Sequence, residues 1–373
     1  MTLFARRPQL RWLVPLLTTV VLVSAGSLAA AISANAGDPL PERSAAQLLV
    51  DVQNARVDGL SGTVVQSAAL GLPSLPGAGG DQSSSLSSLV SGSHTLRVWS
   101  AGPDRTRVAL LGQLGESDVV RNGSDVWIWS SRDNSARHLT IPADAGHGPA
   151  TPGETQSMTP QQAADAALAA ITPTTRVSTD RTAQVAGRSA YQLVLEPRDP
   201  ATLVGTVRIA IDGATHIPTR VQVFARGATK PAFEIGFTSF NPSRPSSSVF
   251  EFNPPAGAHV TNGSAGGAGD AAGSATTPRE SGKAKPQVVG EGWTAVVVAK
   301  LPASASGGTN GGSEGRGLGN LDGVVRALPT VSGAWGSGHL LRGTLFSVLL
   351  TDDGRVVAGA VAPAGLYAAL AAQ

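Results

Sequence analysis

The sequence predicts an α+β protein: an antiparallel β-meander interrupted by helices, then a linker, then a small second α+β domain. Three observations predict it. Short segments with alternating apolar residues follow one another across tight turns, as neighbouring antiparallel strands do. Two stretches, Pro41 to Arg56 and Thr159 to about Ile171, carry helical signals instead. Residues 261–287 hold alanine as their only apolar type, in a Gly/Ser/Thr/Ala background that cannot bury a core. The expected organisation is a leader over 1–36, a first domain over 37–260, a flexible linker over 261–287 and a small C-terminal domain over 288–373.

In the leader, Arg6, Arg7 and Arg11 precede an apolar run from Trp12 to Ile32 and the small-x-small pattern Ala34-Asn35-Ala36. That is a secretory signal with cleavage after Ala36, and an uncleaved N-terminal membrane anchor is the competing reading. Either reading places the bulk of the protein outside the cytoplasm, in the cell envelope or secreted. From Pro41 to Arg56, Ala45, Leu48, Leu49, Val52 and Ala55 recur at helical spacing on one face. Leu60 to Ala69 reads as a strand, and the Gly/Ser/Pro-rich 71–93 as a long flexible loop. Thr95 to Ser100 and Arg105 to Leu111 flank a Gly102-Pro103-Asp104 turn, and Asn122-Gly123 joins Asp118-Val119-Val120 to Val126-Trp127-Ile128-Trp129. The last of these is apolar on both faces and should be covered on both. His138 to Ile141 follows.

Thr159-Pro160-Gln161-Gln162 opens a helix with a cap residue and a proline at the first helical position. Strands resume at Arg176 to Val185, Ser189 to Leu195, Leu203 to Ile211, Thr219 to Phe224 and Phe233 to Phe240. Beyond the linker, Trp293 to Leu301 reads as a strand, 302–319 as a spacer and Leu321 to Leu328 as a short helix. Leu341 to Thr351 and Arg355 to Val361 read as a hairpin around Asp352-Asp353-Gly354, before a closing helix from Pro363 to Ala371.

Composition narrows the function classes. Of 373 residues 41% are hydrophobic and 14% charged, too apolar for a disordered chain. The net charge of +2 falls to −1 once the three leader arginines are set aside, so a nucleic-acid partner is not expected. With no cysteine there is no disulfide, thiolate metal site, cysteine nucleophile or lipid-modified cysteine. His94, His138, His147, His216, His259 and His339 show no metal-ligand spacing. No S-x-x-K motif or P-loop occurs, and Asp352-Asp353 is a turn pair. The chain is therefore expected to be non-enzymatic, without cofactor or metal.

Four segments carry a family resemblance. Leu96-Arg97-Val98-Trp99 with Gly102-Pro103-Asp104-Arg105 and Arg107, and Asn122-Gly123 with Trp127, look like successive hairpins of the LolA lipoprotein carriers. Val185-Ala186-Gly187-Arg188 with Tyr191 to Pro197 is similar to a later strand pair. Phe250-Glu251-Phe252-Asn253-Pro254-Pro255-Ala256-Gly257 with Val260 looks like the family's closing F-x-F-x-P-P-x-G motif. The resemblance covers about 40–260 and implies an antiparallel half-barrel closed by helices over an apolar cavity. A further domain after a linker also resembles RseB and MucB, extracytoplasmic regulators that bind a membrane-bound anti-sigma factor. The insertion at 71–93 departs from the carrier, and no lipobox cysteine is present.

What the resemblance implies is a carrier holding an acyl chain of a lipid or lipoprotein at the membrane surface. The alternative is a regulator of sigma-factor signalling docked on an anti-sigma factor, with a transporter as a further partner. The cavity candidates are Trp99, Trp127, Trp129, Leu193, Leu195, Phe250 and Phe252. For the three tryptophans, core packing and cavity lining both fit. Trp127 and Trp129 point one way and Val126 and Ile128 the other. Arg97, Arg105 and Arg107 alternate with apolar residues; solvent-facing positions and a head-group role are the two readings, and an arginine in an apolar cavity needs a partner.

Overall fold

A computed structural model describes residues 40–72, 88–89, 91–141, 171–264, 286–300, 325 and 327–372. The leader, the helix expected at 159–170, the spacer at 302–319 and nearly all of the helix expected at 321–328 lie outside these residues. The protein is mostly β, built on two sheets.

Helix α1 (Ala45–Asn54) lies within the Pro41 to Arg56 stretch read as helical and begins four residues into it. Ser44 accepts from the Gln47 backbone amide, and the Gln47 side chain accepts from the Ser44 amide, a reciprocal cap contributing about 1 kcal/mol. Its Leu48 is fully buried, and Ala45, Leu49 and Val52 pack beside it, the face that the spacing indicates.

The large sheet has twelve strands. β1 (Leu60–Ala68), β2 (Gly92–Ser100), β3 (Arg105–Leu111), β4 (Glu116–Asn122), β5 (Asp125–Ser130) and β6 (Ser135–Thr140) form one meander. β7 (Thr175–Val185), β8 (Arg188–Pro197), β9 (Val204–Asp212), β10 (Pro218–Ala225) and β11 (Pro231–Asn241) form another, and β1 joins β11 antiparallel. Ala186 and Gly187, at φ +51° and +74°, make the mirror-image two-residue turn that matches strand twist between β7 and β8.

The outer strand beyond β6 is β12 (His259–Ser264), and it pairs parallel to β6. β12 takes up 261–264, the first residues of the span that composition assigns to a linker, and β13 takes up Gln287. Backbone pairing needs no apolar side chains, which is why composition is silent about β12. The remainder, 265–285, lies outside the described residues.

A second sheet contains β13 (Gln287–Val289), β14 (Val296–Lys300), β15 (Thr330–Gly333), β16 (Gly336–Arg342), β17 (Ser347–Thr351) and β18 (Arg355–Gly359), in the order β13-β14-β18-β17-β16-β15. Leu341 to Thr351 is therefore not one strand: Gly343 to Phe346 reverses the chain, closed by the Gly343 amide donating to the Phe346 carbonyl at 2.8 Å. Gly336, Ser337 and Gly338 hide the first half of β16, being weak strand formers. Helix α2 (Pro363–Ala371) lays Leu366, Ala369 and Leu370 against Val296, Val298, Leu340, Leu349 and Val357.

The two sheets are tied together. The Leu203 amide and Thr202 hydroxyl both donate to the Ala360 carbonyl at 2.8 Å, and the Thr344 amide donates to the Leu70 carbonyl at 2.7 Å. The Trp293 indole donates to the Thr175 hydroxyl at 2.8 Å. Leu345 is buried in the same core as Leu48, Val204, Ile211 and Phe233, with Phe346, Trp293 and Ala360 packed against it. The β16–β17 turn thus supplies apolar side chains to the large sheet's core.

Candidate functional site

Register assigns every strand residue to a face, because directly paired residues project to the same side and neighbours along a strand to opposite sides. One face of the large sheet carries α1. Across it, Leu193, Ile209, Val221, Ile235, Gln66 and His94 are successive partners from β8 through β9, β10, β11 and β1 to β2. Leu195, Val207, Val223, Phe233 and Ala68 form the row on one side of it. Phe237, Val64, Leu96 and Leu110 continue the apolar surface on the other.

The ends of this face are closed. Leu48 of α1 covers the Tyr191 and Ile211 end, while Leu345 packs into the same core from the second sheet. Leu89, inside the stretch read from sequence as a flexible loop, is buried against Val64, Leu96 and Leu110. The few apolar residues of this Gly/Ser/Pro-rich stretch show no sustained periodicity, so that role was not visible in the sequence. Between these covers Leu195, Val221, Val223, Ile235 and Phe237 remain only half-buried.

Gln66 breaks the chemistry of the central row. Its side chain is fully buried, and among the described residues neither its amide nitrogen nor its amide oxygen has a hydrogen-bond partner. A buried polar group left unpaired costs about 1–3 kcal/mol. Beside it on β2 is buried His94, whose Nε2 lies 3.4 Å from the Ser88 hydroxyl. This is a polar spot within an apolar surface.

The opposite face holds most of the residues singled out from the sequence. Trp99, Arg107, Val120, Trp127 and His138 form one row over β2 to β6, and Arg97, Ala109, Asp118, Trp129 and Ala136 the next. A 3-10 turn at Ser247–Phe250 and the chain after it lie over these rows. Phe250 is fully buried, and the Phe252 ring sits 5.4 Å from Trp127 and 6.1 Å from Trp129. His138 stacks on Trp127 at 4.3 Å and lies 2.7 Å from the Asp125 carboxylate. Trp99, Trp127, Trp129, Phe250 and Phe252 thus come together on this face, while Leu193 and Leu195 lie on the other side of the sheet.

The three arginines have separate surroundings. Arg105 is exposed, and exposed Arg97 lies 5.7 Å from the Trp99 ring centroid. Arg107 donates to buried Asp118 and to the Val249 carbonyl at 3.4 Å, with its guanidinium 5.6 Å from the Trp99 ring. The partner that an inward arginine requires is therefore supplied by the chain, and the pair pins the covering turn to the sheet. Burial beside this pair, with the Asp118 hydrogen bond and charge, holds the Glu116 carboxyl above the usual range.

At the far end of the sheet Arg188 bonds Asp212 bidentately, at 2.6 and 2.9 Å. Burial raises the Asp212 carboxyl, but the bonds from Arg188 and Thr215 outweigh it and leave it below the usual range. Among the described residues no cluster of His, Asp or Glu could hold a metal ion. Among them, too, no helix is long and apolar enough to cross a membrane.

No family model matches the chain, and no curated protein does. Solved structures to which it is similar include the MucA/MucB complex of Pseudomonas aeruginosa, at 15% identity over 87% of this chain and 96% of that one, with a TM-score of 0.42. Another is a LolA superfamily protein from Nitrosomonas europaea, at 12% identity over 57% and 99%, TM-score 0.22. A lipoprotein-sorting protein domain from Vibrio parahaemolyticus, described as a putative outer-membrane one, matches at 9% over 55% and 95%, TM-score 0.21. These are the two groups that the sequence segments resemble, at values from which no function follows.

Proposed function

We propose that this chain is an exported, non-enzymatic binding protein that holds the acyl chain of a lipid or lipoprotein against the α1-bearing face of its large sheet. One observation carries the reading: a face from β8 to β3, apolar but for Gln66 and His94, whose side chains Leu195, Val221, Val223, Ile235 and Phe237 are only half-buried among the described residues. Half-covered aliphatic and aromatic surface gains free energy from an apolar ligand, at about 25 cal/mol per Å² removed from water. The tryptophan face is a weaker candidate, because the segment from Ser247 to Phe252 already lies on it.

Native mass spectrometry of protein purified without detergent tests this, together with titration of a fluorescent fatty-acid probe. Co-purified acylated species and saturable probe binding are expected. Protein that carries nothing and binds no probe refutes the reading.

A second reading, a regulator docked on a membrane-bound anti-sigma factor, is favoured by the second sheet. On its face away from α2, exposed Val288 and Val297 continue through Ala358 and Val348 to Leu341 in one register row. A pull-down from membranes distinguishes the two: a stoichiometric membrane protein lost on Val297→Asp supports regulation.

A further inference from the structure

We infer that Gln66, with His94 beside it, is the polar anchor of the ligand site and selects acyl chains joined through an amide. The inference rests on the binding reading above and adds the chemistry of the linkage. Gln66 occupies the fifth place in a row whose other strand residues from β8 to β11 are Leu193, Ile209, Val221 and Ile235. A leucine there would complete the apolar face at no polar penalty. Instead the row holds a primary amide that is fully buried and, among the described residues, unpartnered at both its nitrogen and its oxygen.

A carboxamide offers N–H donors at one end and an acceptor at the other. A group that satisfies both ends must itself carry an acceptor and a donor. A secondary amide does so, its carbonyl accepting from Nε2 and its N–H donating to Oε1. An ester satisfies only Nε2, and a hydrocarbon neither. The residues in the flanking rows are Phe233, Val223, Ala68, Val64, Leu96 and Phe237, none of them cationic. Among the described residues only the His94 imidazole could oppose the charge of a carboxylate or phosphate placed here, so a neutral linkage fits the apolar rows better.

The test uses the full chain, freed of bound lipid, with three competitors of one chain length displacing a fluorescent acyl-chain probe that carries no charge: N-methylpalmitamide, methyl palmitate and hexadecane. Wild type is expected to bind the amide about tenfold more tightly than the ester, the size of one well-made buried hydrogen bond. Gln66→Leu should bring that ratio close to one, keep hexadecane displacement and unfold no more easily than wild type. Gln66→Met, nearer in shape, is the second variant should the leucine disturb packing. An equal preference in wild type, or a preference that survives both substitutions, overturns the assignment while leaving the binding reading intact. Wild type that binds none of the three overturns both.

Discussion

Removing Arg107 separates a structural ion pair from a head-group site. Asp118 is 2% exposed at its side chain and Arg107 is 27% exposed. Arg107→Met leaves that carboxylate buried with its charge uncompensated. Breaking a buried pair from one side costs about 3–5 kcal/mol, and because water reaches part of Arg107 the lower end applies, about 3 kcal/mol. With a guanidinium slope of roughly 3–5 kcal/mol per M, the unfolding midpoint should fall by ~0.6–1 M. Asp118→Leu alone should cost a similar amount, because it strands the guanidinium. The double substitution should recover most of the loss, since a buried pair replaced by apolar groups of similar volume is close to neutral. Equilibrium denaturation of the four proteins measures the coupling, and probe titration is run alongside. Single costs that simply add, or an Arg107→Met cost below about 1 kcal/mol, would sink the structural account. A double variant of full stability that no longer binds probe would return Arg107 to the head-group role.

Three further outcomes are expected. Leu345→Ala, at a position 8% exposed in the large sheet's core, should cost about 2–4 kcal/mol and lower a single calorimetric transition shared by both sheets; separate transitions with the larger one unmoved would show the two sheets to be independent. Asp212, whose carboxyl is held below the unfolded value, stabilises the fold above about pH 4 and ceases to as pH falls through its folded value. Asp212→Asn should therefore lower Tm at pH 7 and flatten the acid limb, and an unchanged acid slope would contradict this. Trp127→Ala should leave amide and ester competition unaltered, since its face lies across the sheet from Gln66; a changed ratio would move the site to the tryptophan side.

What the sequence revealed and what it hid divide along one line. Features set by a few adjacent residues were readable: the helix within Pro41 to Arg56, the Asn122-Gly123 reversal, the β-meanders and the closing Pro363 helix. Features set by partners distant in the chain were not. β12 has no apolar alternation and exists because β6 offers it a backbone edge. Leu89 is a core residue only because β2 and β3 pass beneath it.

The candidate site shows the same division more sharply. The sequence places Trp99, Trp127 and Trp129 in adjacent hairpins and Phe250 and Phe252 in the closing motif, but it does not tell that Leu193 lies on the other face of the sheet from Trp127, Trp129 and Phe252. Sheet parity is a property of register, and each strand pair transmits it to the next. Reading from Leu193 to Gln66 takes four pairings, from β8 to β1, the last of which joins strands far apart in sequence. In β1 the apolar residues Val64 and Val65 lie on opposite phases, so the strand alone does not say whether Gln66 points to core or to water. Only the completed chain of pairings turns an ordinary glutamine into a buried amide without a partner among the described residues. The closing F-x-F segment, prominent in sequence, occupies the opposite face with its own side chains, so the aromatic signal marks the packing of that segment. In the less conspicuous aliphatic rows Leu195, Val221, Val223, Ile235 and Phe237 stay half-buried, and the proposed site rests on them.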